Sequence, residues 1–473
     1  MENKDLIKFY GFLREHGWVW GPEPEIYNPI NGHYTYGPLG ASLKNEVEGY
    51  IRGKFRMLDA MEVKCPLIYP KITWENSGHW NKFQDPIIQT KSGSVYRLDK
   101  LIEGQFNLQY GDLSLQEIKT YRDKLDAINK DDPYVYGEDI EYKNLMMTTH
   151  SGSVLCGLRP ETATTTYTCF DNAYTFFGKA LPFGLYQIGY AFRNEPNPRQ
   201  NLLRCREFTQ AEAQIFTEQD DVVCPEFEEI KHQEAPVLAT NGELQMKPFG
   251  EMFGDGMKKY GYMVYTAYKL FVDILPKENV RLRRHAENER AFYALDAWDI
   301  EVNIGNVGWV EVAGIHHRGT YDLTQHSTAN IKRLEKVPYV LELAIGVDRT
   351  VFALLDNYID KKSIDQGKSI LGLPYNLSPI KIAVLPLVKN KEDIVNKSKE
   401  VYKLLKGKWN AIYEDGASIG KRYLKCGFKG IPYCITIDYK TLEDGTVTVR
   451  DRDSETQEKV KLQDLNEWLH KRA

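Results

Sequence analysis

The sequence predicts an α+β fold, an antiparallel sheet flanked by helices and followed by a small C-terminal α/β domain. Three observations predict it. Residues 187–192 alternate as a strand, enter a polar turn rich in Pro and Asn, and give way to a second apolar-periodic run from Leu202, the pattern of two antiparallel strands joined by a charged loop. Residues 298–303 and 308–314 alternate with the same period, as half-buried antiparallel strands do. Beyond residue 379, short strands at 380–387, 411–413, 432–437 and 446–449 are separated by helical or turn segments and followed by a helix at 462–470. The division expected is 1–375, with inserted segments near 100–145 and 213–246, and 376–473.

Composition limits the function classes. A chain of 473 residues with 42% hydrophobic and 27% charged residues is neither disordered nor fibrous. Its formal charge of -5 gives no general nucleic-acid footprint, so any RNA contact has to come from local basic patches. Seven cysteines form no C-x-x-C pair, which favours reduced thiols and no structural zinc. No apolar run reaches membrane-spanning length and the start is polar, so a cytoplasmic protein without membrane contact is expected.

In chain order, Leu39, Leu43, Val47, Ile51 and Phe55 recur every four residues, a helix with one apolar stripe long enough for the core and a partner. Ala60 to Tyr69 reads as one strand stopped by Pro70. His79 is a lone imidazole, expected to be structural. Residues 111–144 are highly charged, and an inserted hairpin, a mobile lobe or a solvated surface helix all fit. Glu161 follows a proline-stiffened turn. Arg193 and Glu195 stand at the entry of the 187–216 loop, and Arg204, Arg206 and Phe208 at its exit. Cationic forks and an aromatic face there suit a ligand with phosphates at one end and a flat base at the other. Arg206 fits a supporting or core-edge position. Residues 213–246 are acidic and unsuited to phosphate, and the tyrosines of 250–274 sit at helical spacing, as packing residues do. The basic run 277–290 is read as partly solvated and partly guiding an RNA end or ATP. His316, His317 and His326 with Glu311 do not make a metal shell, because adjacent strand residues point to opposite faces. Residues 340–355 read as strand, glycine turn and helix, and Arg349 in the first helical turn, where a cation is unfavourable, asks for an anionic partner. Residues 416–421 are too short by one for a phosphate loop.

Phe192 to Glu195 and Arg204 to Phe208 resemble motif 2 of class II aminoacyl-tRNA synthetases. Tyr36 to Gly40 with the long helix, strand and proline resembles motif 1, and residues 340–355 resemble motif 3. With Leu158 to Ala163, Ser77 to His79 and Phe83 to Pro86, nearly the whole chain is similar to the glycyl-tRNA synthetases of the archaeal and eukaryotic homodimeric type.

That resemblance implies an ATP- and Mg2+-dependent ligase that forms glycyl-adenylate and passes glycine to tRNA(Gly). By its motifs Arg193 holds the α-phosphate, Arg204 reaches the distal phosphate, Phe208 stacks on adenine beside Glu195, and Arg349 holds the γ-phosphate. Glu161, Glu212 and Glu342 line the glycine pocket with Ala344, Arg318 organises it, and Glu342 serves magnesium or substrate. Glu311 is a further pocket carboxylate. Lys421, Arg422, Arg450 and Arg452 are the anticodon candidates. Departures are Glu342-Leu343-Ala344 where many relatives carry Glu-Pro-Ser, Thr164-Thr165 in place of Gln-Gly, Phe292-Tyr293 in place of His-Tyr, and a short link from Asp322 to Glu342. The alternatives are another small amino acid on the same fold, or a non-catalytic nucleic-acid-binding subunit. The latter is expected to lose motif arginines or pocket carboxylates that this chain keeps.

Overall fold

The computed structural model describes residues 4–106, 115–125, 131–198, 200–218, 223–239, 242–287, 289–291, 293–305 and 307–472. Helix α1, Pro38–Arg56, starts with proline at its first position, where the missing N–H costs nothing, and leads to strand β1, Ala60–Glu62. The central sheet continues with β2 (Phe183–Phe192), β3 (Glu207–Thr217), β4 (Glu234–Leu238) and β5 (Leu244–Pro248). Helix α2 (Lys258–Val272) is followed by β6 (Val280–Arg284), β7 (Asp296–Ile304), β8 (Gly308–Gly319), β9 (Tyr339–Gly346) and helix α3 (Val347–Tyr358). The order across the sheet is β5-β4-β6-β7-β8-β9-β3-β2-β1. Pairing is antiparallel except between β4 and β6 and between β1 and β2.

Alternation along the central strands divides the sheet into two chemistries. Ala211 and Ala213 of β3, with Leu341, Leu343 and Ile345 of β9, join the main core with Val47, Ile51 and Phe55 of α1, Leu270 and Phe271 of α2, and Val351 and Leu355 of α3. Glu212, Glu342 and Ala344 therefore face the other way. The helices fix one face of the sheet and leave the second free to carry polar groups.

Several sequence expectations shift. The stretch 60–69 is two strands, with β1 at the sheet edge and Ile68–Pro70 paired with Val154–Leu158 in a separate three-stranded sheet. Pro66 between them has no N–H for a ladder. The stripe of α1 is consumed inside the protomer, with Leu43, Val47, Ile51 and Phe55 wholly buried, so it offers no free face to a partner. The first inserted segment begins earlier than expected, with a strand at Gln84–Thr90, and forms a lobe with its own small core of Ile88, Leu98, Ile102, Ile118, Leu125 and Tyr134. The second begins later, because 213–217 completes the central strand β3.

The C-terminal domain contains β10 (Ile382–Pro386), α4 (Glu392–Leu405), β11 (Ala411–Tyr413), α5 (Ile419–Phe428), β12 (Tyr433–Ile437), β13 (Thr446–Asp451), β14 (Gln457–Lys461) and α6 (Leu465–His470). Its mixed sheet runs β11-β10-β12-β13-β14. The edge strand β14, unforeseen in the sequence, is one buried Val460 among exposed polar residues.

Candidate active site

Register across the polar face of the sheet brings the site together. Gln187, Glu212, Ala344 and Gly314 lie side by side on β2, β3, β9 and β8. One row deeper come Gln214, Glu342 and His316. On the β9 side of Glu212 the row thus continues through Ala344 and Gly314 with almost no side chain, and a Cβ built on Gly314 would stand 2.8 Å from the His316 ring. A cleft of about 220 Å³ opens over this row and is bounded by Arg193, Phe208, Tyr293, Arg318 and Arg349.

The three buried carboxyls differ in their partners. Glu161 Oε1 accepts from Thr164 Oγ1 (2.6 Å), and its Oε2 is 3.4 Å from His79 Nε2. Burial pushes its pKa up, but His79, Arg318 and Thr164 outweigh that and hold Glu161 well below the usual carboxylate range. Glu342 accepts from Arg318 Nη1 (3.0 and 3.2 Å) and Tyr167 Oη (3.0 Å), with His316 Nδ1 3.2 Å away. Burial again opposes ionisation, and Arg318 and His316 prevail. Glu212 has only the Thr162 N–H (2.9 Å) and hydroxyl (2.5 Å) on its Oε2, and no cation at ion-pair distance among the described residues. Burial first, then the charges of Glu342 and Glu161, raise its pKa to about 8. Three carboxylates in one dry pocket do not all ionise, and the proton rests on the one without a counterion.

Arg318 is locked by a fork on Asp322 (2.7 and 2.8 Å) and lies 3.9 Å from the Tyr293 ring centroid. It is an internal strut, 2% exposed, and organises the pocket through Glu342 rather than by open contact.

At the mouth, Arg193 Nε donates to Pro160 O (3.1 Å), and the guanidinium lies between the rings of Phe83 and Phe208, 5.4 and 5.3 Å from their centroids. Arg204 forks onto Glu195 (2.7 and 2.5 Å), so these two sequence candidates form a pair. Arg206 donates to Glu195 O and Asn31 O, a supporting position. Arg349 donates to Leu203 O (3.3 Å) and Glu311 O (2.8 Å), with the half-exposed Glu311 carboxylate 3.7 Å away.

Residues missed in the sequence hold this arrangement. Asp348 is buried and accepts from Tyr36 Oη, Lys44 Nζ (3.1 Å) and the Thr209 N–H, tying α3 to α1 and to the start of β3. Thr162 and Gln187 form a second bracket, with Gln187 Nε2 donating to Thr162 O (3.0 Å), Thr165 Oγ1 (3.0 Å) and Thr166 Oγ1 (2.7 Å). No sequence spacing links Lys44 to Asp348. Arg318 and Asp322 do carry a signal, opposite charges four apart.

Four expectations change. Most of the basic run 277–290 is paired with acids: Arg281 with Glu301 (2.7 Å), Arg283 with Asp299 (3.3 Å) and Glu289, Arg284 with Asp296 (3.1 Å), His285 with Asp299 (2.6 Å), and Arg290 with Asp296 (3.5 Å). Register sets β6 opposite the acids of β7, so the run is a zipper rather than a guide for phosphates. Glu342 has its oxygens engaged by Arg318 and Tyr167, which leaves it unsuited to magnesium. Arg422 is 1% exposed and donates to Pro386 O, Ala417 O (2.9 Å) and Gly416 O (3.3 Å). Arg452 is likewise buried on Gly430 O (2.9 Å), Leu373 O (2.7 Å) and Asp453. Both guanidiniums brace the backbone and do not reach an RNA. Lys421 is exposed, and Arg450 lies over the Tyr423 ring at 4.9 Å. Phe292 lies outside the described residues.

His316 turns to Glu342, whereas His317 faces Tyr260 and Tyr339, as opposite strand faces require. Among the described residues no group of three or more His, Cys, Asp and Glu is placed to hold a metal ion, and no helix is long and apolar enough to cross a membrane.

Residues 153–358 match the family model for the tRNA synthetase class II core domain (G, H, P, S and T), and residues 381–472 match that for the anticodon binding domain. The solved prolyl-tRNA synthetase of Giardia lamblia in complex with prolyl-adenylate shares the fold, with a TM-score of 0.64 over 98% of this chain and 74% of that one at 16% identity. Sheet, cleft and matched domains define a class II aminoacyl-tRNA synthetase. Among curated relatives, the glycine–tRNA ligase of Thermococcus gammatolerans is 34% identical with 96% of each chain covered. That of Methanocaldococcus jannaschii is 30% identical with 100% of each covered. The chain belongs to the glycine–tRNA ligase family.

Proposed function

We propose the following division of labour for the ATP-dependent attachment of glycine to tRNA(Gly), the reaction of this family. The glycine ammonium docks on Glu212, the buried carboxyl that lacks a cation, with Glu161 and Glu342 as flanking charges already balanced by His79 and Arg318. The observation that carries this reading is the row Glu212, Ala344 and Gly314, which places an uncompensated acid beside space for no side chain. Ala344 stands where many relatives have serine, and the hydroxyl of Thr162 remains within the same bracket.

ATP lies across the mouth. Phe208 offers a face to adenine, Arg193 steadies the α-phosphate and Arg349 the γ-phosphate. The Arg204–Glu195 pair borders the same cleft, and Arg204 reaches the distal phosphate by exchanging one carboxylate oxygen for a phosphate oxygen. The glycine carboxylate attacks the α-phosphorus, pyrophosphate leaves, and a terminal ribose hydroxyl of tRNA then attacks the adenylate carbonyl. These steps need fixed charge and alignment rather than a protein nucleophile. Magnesium supplies further charge neutralisation to the phosphates when it arrives with ATP, and Glu311, whose side chain is 54% exposed beside Arg349, is the acid suited to hold it.

Lys421 and Arg450 are the remaining anticodon contacts. A homodimer is supported by the motif 1 resemblance and by two exposed apolar residues, Met57 at the end of α1 and Met61 on the edge strand β1, 56% and 50% exposed. Charging of a tRNA(Gly) transcript with labelled glycine tests the whole reading: product is expected only with ATP present, and no product with any ATP concentration overturns it.

A further inference from the structure

Of the seven cysteines, Cys156, Cys205, Cys224, Cys426 and Cys434 are buried, while Cys65 and Cys169 retain partial exposure. Those two come to neighbouring carbonyls of one helix, although they stand 104 positions apart in the chain. Cys65 Sγ lies 3.4 Å from Thr165 O and Cys169 Sγ 3.1 Å from Thr166 O, so both sulfurs hang on successive carbonyls of the short helix Ala163–Tyr167. With the carbonyls holding both sulfurs, the neighbouring Cys169 thiol, Thr165 and the Arg159 guanidinium outweigh burial and bring Cys65 to about 7, while the Cys65 sulfur and burial push Cys169 far up. One thiol is thus a ready nucleophile at neutral pH and its neighbour a protonated partner, the arrangement of an attacking and a resolving cysteine.

The pair is wired to the glycine pocket. The Cys65 N–H donates to Gln187 Oε1 (3.2 Å), and the Cys65 carbonyl accepts from Arg159 Nη1 (3.4 Å). Gln187 Nε2 holds Thr162, Thr165 and Thr166, and Thr162 supplies both hydrogen bonds to Glu212.

We propose that Cys65 and Cys169 form a reversible, peroxide-sensitive disulfide that disturbs the Thr162–Gln187 bracket and so weakens glycine binding. The Cys65 thiolate attacks one oxygen of hydrogen peroxide, an S–O bond forms, the O–O bond breaks, and the departing hydroxide takes a proton as water. Cys169 sulfur then attacks the Cys65 sulfenic sulfur, the S–S bond forms, and hydroxide leaves with the Cys169 proton as a second water. Two thiols are oxidised and one peroxide is reduced, and a dithiol reverses the change. Closing the sulfurs to about 2 Å breaks both thiol–carbonyl contacts and draws residue 65 toward the helix. The effect on glycine rests on the pocket assignment above; the disulfide itself does not.

The test treats the full-length enzyme with hydrogen peroxide at pH 7, blocks remaining thiols and maps cysteine peptides by mass spectrometry, with glycine-dependent ATP–pyrophosphate exchange measured in parallel. A Cys65–Cys169 cross-link reversed by dithiothreitol is expected, with glycine KM raised at least about tenfold, the scale of a small displacement of positioning groups. Cys426 and Cys434 should stay reduced, since Cys434 is buried and its thiol is pushed well above its ordinary range. C65S and C169S should keep untreated activity and lose peroxide sensitivity, and C169S should accumulate a dimedone-reactive sulfenic acid at Cys65. Free thiols at 65 and 169 after oxidation of other cysteines would overturn the site, and a cross-link that leaves KM unchanged would overturn its control of the pocket. If untreated enzyme shows no exchange with glycine, the functional reading fails while the thiol map still decides the pair.

Discussion

If glycine docks on Glu212 as proposed, its ammonium has to displace the proton held there, because an ammonium gains most from an ionised partner. With its carboxyl titrating at about 8 in the free enzyme, kcat/KM for glycine should rise about tenfold per pH unit below that value and level off above it. A flat profile from pH 6 to 8 would contradict the assignment. The sign for folding is opposite: the native state keeps a proton that the unfolded chain has released, so this group favours the fold below the ordinary glutamate range and loses that contribution as pH rises toward 8. Arg349→Ala should lower exchange about 10²–10³-fold, the scale of one removed charge-stabilising donor, without unfolding the protein. Arg422 and Lys421 are neighbours with opposite fates. Arg422→Ala leaves buried carbonyls unpaired, each costing about 1–3 kcal/mol, and should lower the melting temperature. Lys421→Ala should leave melting unchanged and weaken tRNA charging, and equal melting of the two variants would restore Arg422 as a surface residue.

At the scale of elements, α3 delivers Arg349 to the cleft only because Asp348 beside it is clamped from two directions, by α1 and by the backbone of β3. Lys44→Met removes one partner of a buried pair and should destabilise by about 3 kcal/mol, with exchange falling as α3 loosens; Lys44→Met with Asp348→Asn should recover part of both. Denaturant unfolding reads the first effect, and unchanged stability in Lys44→Met would remove the clamp. The β2–β3 hairpin, β9 and α3 were legible in the sequence because period and turn chemistry agree along each of them. The clamp was not legible, since Tyr36 and Lys44 join Asp348 only after the sheet has assembled. Strand pairing also reversed the meaning of the basic run, because the acids that neutralise Arg281 and Arg283 lie on the next strand. The α1 stripe showed that its residues would be buried but not in which molecule. Of the site, the carboxylates and arginines stood out by motif, whereas their charge states depend on His79, Arg318 and Thr162, which reach them across the fold.

At the scale of the molecule, the sheet and the C-terminal domain are joined by packed contacts. Arg452 reaches Leu373 O, and Phe428 meets Phe12 of the helix Lys4–Glu15 and His16 just past its end, with ring centroids 6.3 and 4.9 Å away. A chain ending near Leu377 should keep glycine activation and lose most tRNA charging, as shown by exchange and aminoacylation on the same soluble truncation; unimpaired charging would exclude the C-terminal domain from tRNA selection. In the proposed pocket glycine selection arises from the whole sheet, since its register sets Ala344 beside an acid without a counterion and Gly314 next beyond Ala344. Exclusion of a larger substrate is steric overlap against fixed backbone, which a pocket enforces more strongly than it rejects a smaller one. The most direct measurement is ATP–pyrophosphate exchange by the purified enzyme with glycine, alanine and serine supplied separately. Exchange with glycine should exceed both others by roughly two orders of magnitude or more, and alanine or serine supporting exchange as well as glycine does would contradict the account.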